Sequence, residues 1–153
     1  ILNVKDQNSM KAAIDLGIAM QLTNIARDVV EDSNINRFYI KNDFETISTT
    51  LTLADLFYKS YFTAIKEIPF KFRFAILVAR RVYRRIGHKI LRTKNIETYN
   101  KAGKIYVNKV EKIFQTIFSI FDLITLLLTK QKSSYMNNEH FLISEEINLD
   151  ERI

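Results

Sequence analysis

From Leu16 to Asp32 the chain reads LGIAMQLTNIARDVVED, a stretch that admits little other than a helix apolar on almost every side. Gln21, Asn24, Asp28 and Asp32 follow one another at spacings of three, four and four. On a helix this stacks them on one face within an arc of about 80°. Ile14, Ile18, Leu22, Ile25 and Val29 fill the adjoining arc, and Leu16, Ala19, Thr23, Ala26 and Val30 the opposite side. Such a helix is expected to be buried on several sides, so that its carboxylates border a core.

Carboxylates one turn apart lie roughly 5–6 Å from each other. They repel, and their pKa values rise unless a cation lies between them or their ligands. The cation that suits a sparse oxygen set on one helix is hard and divalent. Magnesium fits, with manganese as the alternative: it takes one or two protein carboxylates, keeps several waters and completes its shell with phosphate oxygens. Gln21 and Asn24 add neutral groups for waters and phosphate oxygens, and Gly17, one turn earlier, leaves space above the helix. The competing reading is an amphipathic helix whose acids pair with bases, such as Arg27 with Glu31 at i, i+4.

Three Gly and one Pro are too few for a turn-rich β fold, and 47% hydrophobic residues supply a core, so the expected fold class is all-α. Four antiparallel helices are predicted: about Lys11 to Asp32, Thr52 to before Pro69 with Thr52-x-x-Asp55 as a capping box, Phe70 to Lys94, and Lys104 to Thr129. The segment from Asn95 to Gly103 reads as a loop. The absence of Cys excludes disulfides and thiolate metal sites and agrees with a reducing, cytoplasmic setting. The apolar run from Ile113 to Leu128 has 16 residues interrupted by Gln115 and Asp122. It is too short to span a bilayer, and a core helix with an edge toward lipid, a peripheral membrane contact, is expected instead.

Residues 66–112 carry fourteen Lys/Arg against three Asp/Glu. Arg81, Arg84, Arg85, His88 and Arg92 recur on the third predicted helix. They form either a solvated basic face or a surface for diphosphate or anionic lipid. Nucleic acid is not expected, because no aromatic residues interleave with the bases in any recognisable module. Residues 130–153 are polar and acidic and read as a mobile tail.

The run Gln21-Leu-Thr-Asn-Ile-Ala-Arg-Asp-Val-Val-Glu-Asp32, followed by Asn36-Arg-Phe-Tyr-Ile40, closely resembles the second aspartate-rich motif of the squalene/phytoene synthase family, above all bacterial phytoene and dehydrosqualene synthases. Ala79-Arg-Arg-Val-Tyr83 and Gly103-Lys-Ile-Tyr-Val-Asn-Lys-Val-Glu-Lys112 resemble its later helix and basic C-terminal motif, so the likeness spans about residues 11 to 115. Asn36 stands where the family often has Gly, Lys41 where it has Pro, and Lys104 where it has Arg. The resemblance implies an isoprenoid-synthase-type helical bundle of which residues 1–129 are the C-terminal half. The first aspartate-rich motif would belong to an N-terminal half supplied in cis or in trans.

It implies head-to-head condensation of two prenyl diphosphates, farnesyl or geranylgeranyl, in carotenoid or related isoprenoid biosynthesis. Asp28, Asp32 and Tyr83 would be catalytic. Asp28, Asp32 and Asn24 would hold the metal, and Gln21, Asn24, Arg27, Arg37 and Lys104 would meet the substrate. Two other readings are a non-catalytic assembly protein that keeps the fold and a basic helical module for membrane surfaces.

Overall fold

A computed structural model describes residues 7–129 of the chain. Its regular structure is all helical, consistent with an isoprenoid-synthase-type bundle. The elements are α1 (Gln7–Asn34), α2 (Phe44–Ala64), a 3-10 turn (Ile65–Glu67), α3 (Phe70–Leu91), α4 (Ile96–Ala102) and α5 (Lys109–Leu128). The acidic tail lies outside the described residues.

Besides shifts of a few residues at the ends of α1 and α3, three features differ from expectation, each for a local reason. The second helix starts two turns before Thr52, at Phe44, where the Asp43 carboxylate accepts the Thr46 N–H at 2.7 Å. Thr52 is interior to α2, and its hydroxyl donates to the Ser48 carbonyl one turn back, a bond that satisfies threonine without ending the helix. The stretch read as a loop contains α4, opened by the Asn95 side chain accepting from the Thr98 N–H. The last helix begins at Lys109 rather than Lys104, behind a capping box in which Asn108 and Glu111 satisfy each other's backbone N–H groups. Lys104 therefore sits on the α4–α5 connection.

α1 packs against α2 and α3, and α5 packs on α3. One core cluster joins Leu16 and Ala19 of α1 to Ala54, Phe57 and Tyr58 of α2, with Leu77 and Leu126 closing it. A second joins Ala26 and Val29 to Leu51, Ile86 and Ile90, and takes in Tyr99, Ile105 and Val107 from α4 and the connection after it. Tyr83 packs against both clusters. Gly87 permits the close approach of α3 to α2, since a Cβ there would lie 3.3 Å from a Leu51 methyl. α5 turns Ser119 and Leu126 inward and leaves Ile113, Phe114, Ile117, Phe118, Phe121 and Ile124 exposed. Among the described residues no helix is long and apolar enough to cross a membrane.

Candidate functional site

α1 buries one side completely, through Leu16, Ala19, Thr23, Ala26 and Val29. Its polar face lies at the edge of that side: Asn24, Asp28 and Asp32 are half-buried and Gln21 is exposed. The expected burial on several sides is thus only partly realised, because α2 and α3 cover α1 from one flank. Above Gly17 an added Cβ would meet nothing within 4 Å, so the space expected there is open.

The charges on this face are arranged differently from a simple i, i+4 ladder. Arg27 forks onto its neighbour Asp28, Nε to Oδ1 at 2.7 Å and Nη2 to Oδ2 at 2.5 Å. Glu31, the expected partner of Arg27, instead accepts a hydrogen bond from Lys104 Nζ, which lies 3.4 Å from Asp28 Oδ1 as well. Hydrogen bonding from Arg27 holds the Asp28 carboxyl below its ordinary range against the opposing effect of burial, and Lys104 adds to the depression. The cation needed beside Asp28 is therefore supplied in this state by the protein's own side chains. Lys104 in turn is held above its ordinary range by Glu31 and Asp28.

Asn24 Oδ1 is buried and accepts no hydrogen bond among the described residues. A buried amide oxygen without a donor is costly unless a cation or water faces it. Tyr83 is half-buried between the two core clusters and close enough to Arg27 to bias its ionisation. Gln21 and Arg37 present their side chains to solvent, and Arg37 is placed by its N–H donating to the Asp32 carbonyl at 2.8 Å. The turn before it has Asn36 at φ 58°. This left-handed conformation is easiest for Gly and next easiest for Asn, which accounts for Asn where the family often has Gly.

Tyr99 has a structural role that its place in an apparent loop does not announce. Its buried hydroxyl lies 2.9 Å from the Ala26 carbonyl oxygen and 2.8 Å from that of Arg27, in position to donate to either. This ties α4 to the turn of α1 that presents Arg27 and Asp28. Burial first, and then the negative charges of Asp28 and Glu31, raise its pKa to about 12. The signal was the Asn95-x-x-Thr98 helix start, which marks a short helix inside an apparent loop.

Among the described residues no three His, Cys, Asp or Glu side chains gather closely enough to hold a metal unaided. Two carboxylates and the Asn24 amide oxygen are nonetheless an all-oxygen set of the kind magnesium accepts when phosphate oxygens complete its shell. The donor set fits one wall of such a site.

Residues 1–44 match the squalene/phytoene synthase family model. A 15-cis-phytoene synthase of Paracoccus sp. is 33% identical over 131 residues, covering 74% of this chain and 42% of that protein. The 15-cis-phytoene synthases of Enterobacter agglomerans and Pantoea ananas are 31% and 32% identical, over 60% and 59% of this chain and 38% and 36% of theirs. The chain thus spans about two fifths of the length of these relatives. No solved structure matches it. The aspartate-bearing face of α1 lies within the family match, and the aligned relatives extend the likeness well beyond it: the chain belongs to the squalene/phytoene synthase family.

Proposed function

We propose that this chain is the C-terminal part of a prenyltransferase that joins two identical allylic prenyl diphosphates head to head, as a phytoene or dehydrosqualene synthase does. The observation that carries the reading is the convergence of Arg27 and Lys104, one from α1 and one from the α4–α5 connection, on the Asp28 carboxylate. A cluster with an acid for a metal and two bases for a diphosphate suits ionisation of a diphosphate leaving group.

Asp28, Asp32 and Asn24 would hold magnesium. When bound, it supplies positive charge that stabilises the departing diphosphate. Arg27 and Lys104 are then free to turn from Asp28 toward phosphate oxygens, and Arg37 and Gln21, both exposed, complete the polar rim. Capture of the released diphosphate by these bases keeps it from recombining with the carbocation. The double bond of the second substrate attacks that cation and loss of a proton closes a cyclopropyl diphosphate; departure of its diphosphate, rearrangement of the resulting cation and loss of a second proton give the linear product. Tyr83 offers a ring face toward the cation.

The opposite wall of the site belongs to the remainder of the protein. We place that remainder over the exposed apolar face of α5, since contiguous apolar surface of that kind marks an interaction site. Mass analysis after incubating the full-length protein with farnesyl or geranylgeranyl diphosphate and magnesium tests the function. A product with twice the carbon count of the substrate is expected. The 153-residue chain alone should yield none above a denatured control, because one wall cannot align two substrates. Simple hydrolysis to the prenyl alcohol by the full-length protein would contradict the proposal.

A further inference from the structure

On α3 the residues Arg80, Arg81, Arg84, Arg85 and His88 line a cavity of about 360 Å³ between α2 and α5, with Gln115 across from them. Tyr83, which packs toward α1, lies about 130° around the helix from the middle of this stripe, and the cavity shares no lining residue with the α1 site. The arginines are held in place. Arg80 is buried, donates from Nε to the Tyr58 carbonyl at 2.8 Å and lies 4.9 Å above the Phe62 ring. Arg81 forks onto Asp122, and Arg84 onto Asp55.

The charges do not balance. Asp122 is shared by Arg80 and Arg81, Asp55 by Arg84 and Lys59, and Glu111 by Arg85 and Lys89. Among the described residues, six Arg and Lys charges of this network thus share three carboxylates, and His88 faces Asp55 as well. Arg85 Nε, moreover, is buried and donates to no acceptor among the described residues. Burial, and next the charge of Arg84, push the Arg80 pKa down to about 10. Like charges gathered at a partly desolvated site cost free energy that a bound anion removes. Guanidinium forks match phosphate oxygens two at a time, and the volume lies within the range of ligand sites, roughly 300–1,000 Å³.

We propose that this cavity, separate from the acidic face of α1, binds a phosphate-type anion, a phosphomonoester or diphosphate group, through Arg81, Arg84 and Arg85 with Gln115 as a neutral donor. The anion can be free in solution or the headgroup of a lipid, and the test separates the two sources. Inorganic pyrophosphate is titrated into the protein with EDTA present, so that no divalent cation recruits it to α1. In parallel, phosphatidylcholine vesicles with and without phosphatidic acid are tested for sedimentation with the protein. Binding in either arm is expected to weaken about tenfold or more in Arg81→Gln/Arg85→Gln and to be retained in Asp28→Asn/Asp32→Asn.

Pyrophosphate binding with no preference for phosphatidic acid assigns a soluble ligand; preference for those vesicles assigns a headgroup. Because Asp122 and Glu111 keep Arg80 and Lys89 as partners, the double variant should retain its helical circular dichroism. If it does not, Arg85→Lys, which keeps the charge and removes the fork, is expected to weaken binding about threefold. Binding in neither arm, binding indifferent to the folded arginine variants, or binding abolished by the α1 variants overturns the site.

Discussion

At Asp28 the folded protein already holds two cations against one carboxylate, so replacing it has two separable effects. Asp28→Asn removes the charge at nearly constant volume and leaves the Arg27 fork with a single acceptor. Stability should fall by about 1 kcal/mol, read as a lower urea midpoint, while the helical content is kept. Lys104 permits a finer test. Its Nζ stands between Asp28 and Glu31, a span that a guanidinium fork also bridges. Lys104→Arg in the full-length protein should therefore preserve or improve kcat/KM, and Lys104→Ala should reduce it by about tenfold or more. Unchanged kcat and KM in Lys104→Ala at all magnesium concentrations would remove Lys104 from the phosphate site.

The elements show what the sequence made legible and what it hid. The spacing of Gln21, Asn24, Asp28 and Asp32 led directly to α1, because a long periodic stretch leaves little choice of structure. The start of α2 was hidden because Thr52 has two hydrogen-bonding habits, one that caps helices and one that sits inside them, and only the tertiary fold selects between them. Tyr99 was hidden for a related reason: a seven-residue helix has too few turns to show a period, and its role depends on carbonyls more than seventy residues away. Tyr99→Phe deletes the hydroxyl and leaves those carbonyls only their helical bonds. It should cost about 1 kcal/mol and speed amide exchange in α4, whereas unchanged exchange there would deny the tie. Asn108→Ala, which breaks the α5 capping box, should cost about 1 kcal/mol as well, measured by chemical denaturation.

On the scale of the whole molecule, ion pairs set its response to acid. Arg27 holds Asp28 low. Burial works to raise Asp55, but Arg84 and Lys59 together outweigh it. Lys89, then the Asn108 N–H, bring Glu111 from its ordinary 4.5 to about 2. Each of these carboxyls has a folded pKa below its unfolded one. Their contribution to stability is therefore full above the ordinary carboxylate range and is lost as the pH falls through it toward 2. The urea midpoint should slip slightly below the ordinary imidazole range, because burial holds the His88 pKa low, and decline more steeply below about pH 5, and Glu111→Gln should flatten part of the decline below 4.5. A midpoint that rises on acidification would show that these pairs do not stabilise the fold.

α1, steadied by α4 and met by Lys104, is proposed to present a surface that ionises a prenyl diphosphate. The most direct test is the rate of diphosphate release by the full-length protein across magnesium concentrations, wild type beside Asp28→Asn. Release is expected to require magnesium and to fall about a hundredfold or more in the variant. Release at the wild-type rate by Asp28→Asn at limiting magnesium would contradict this role of α1.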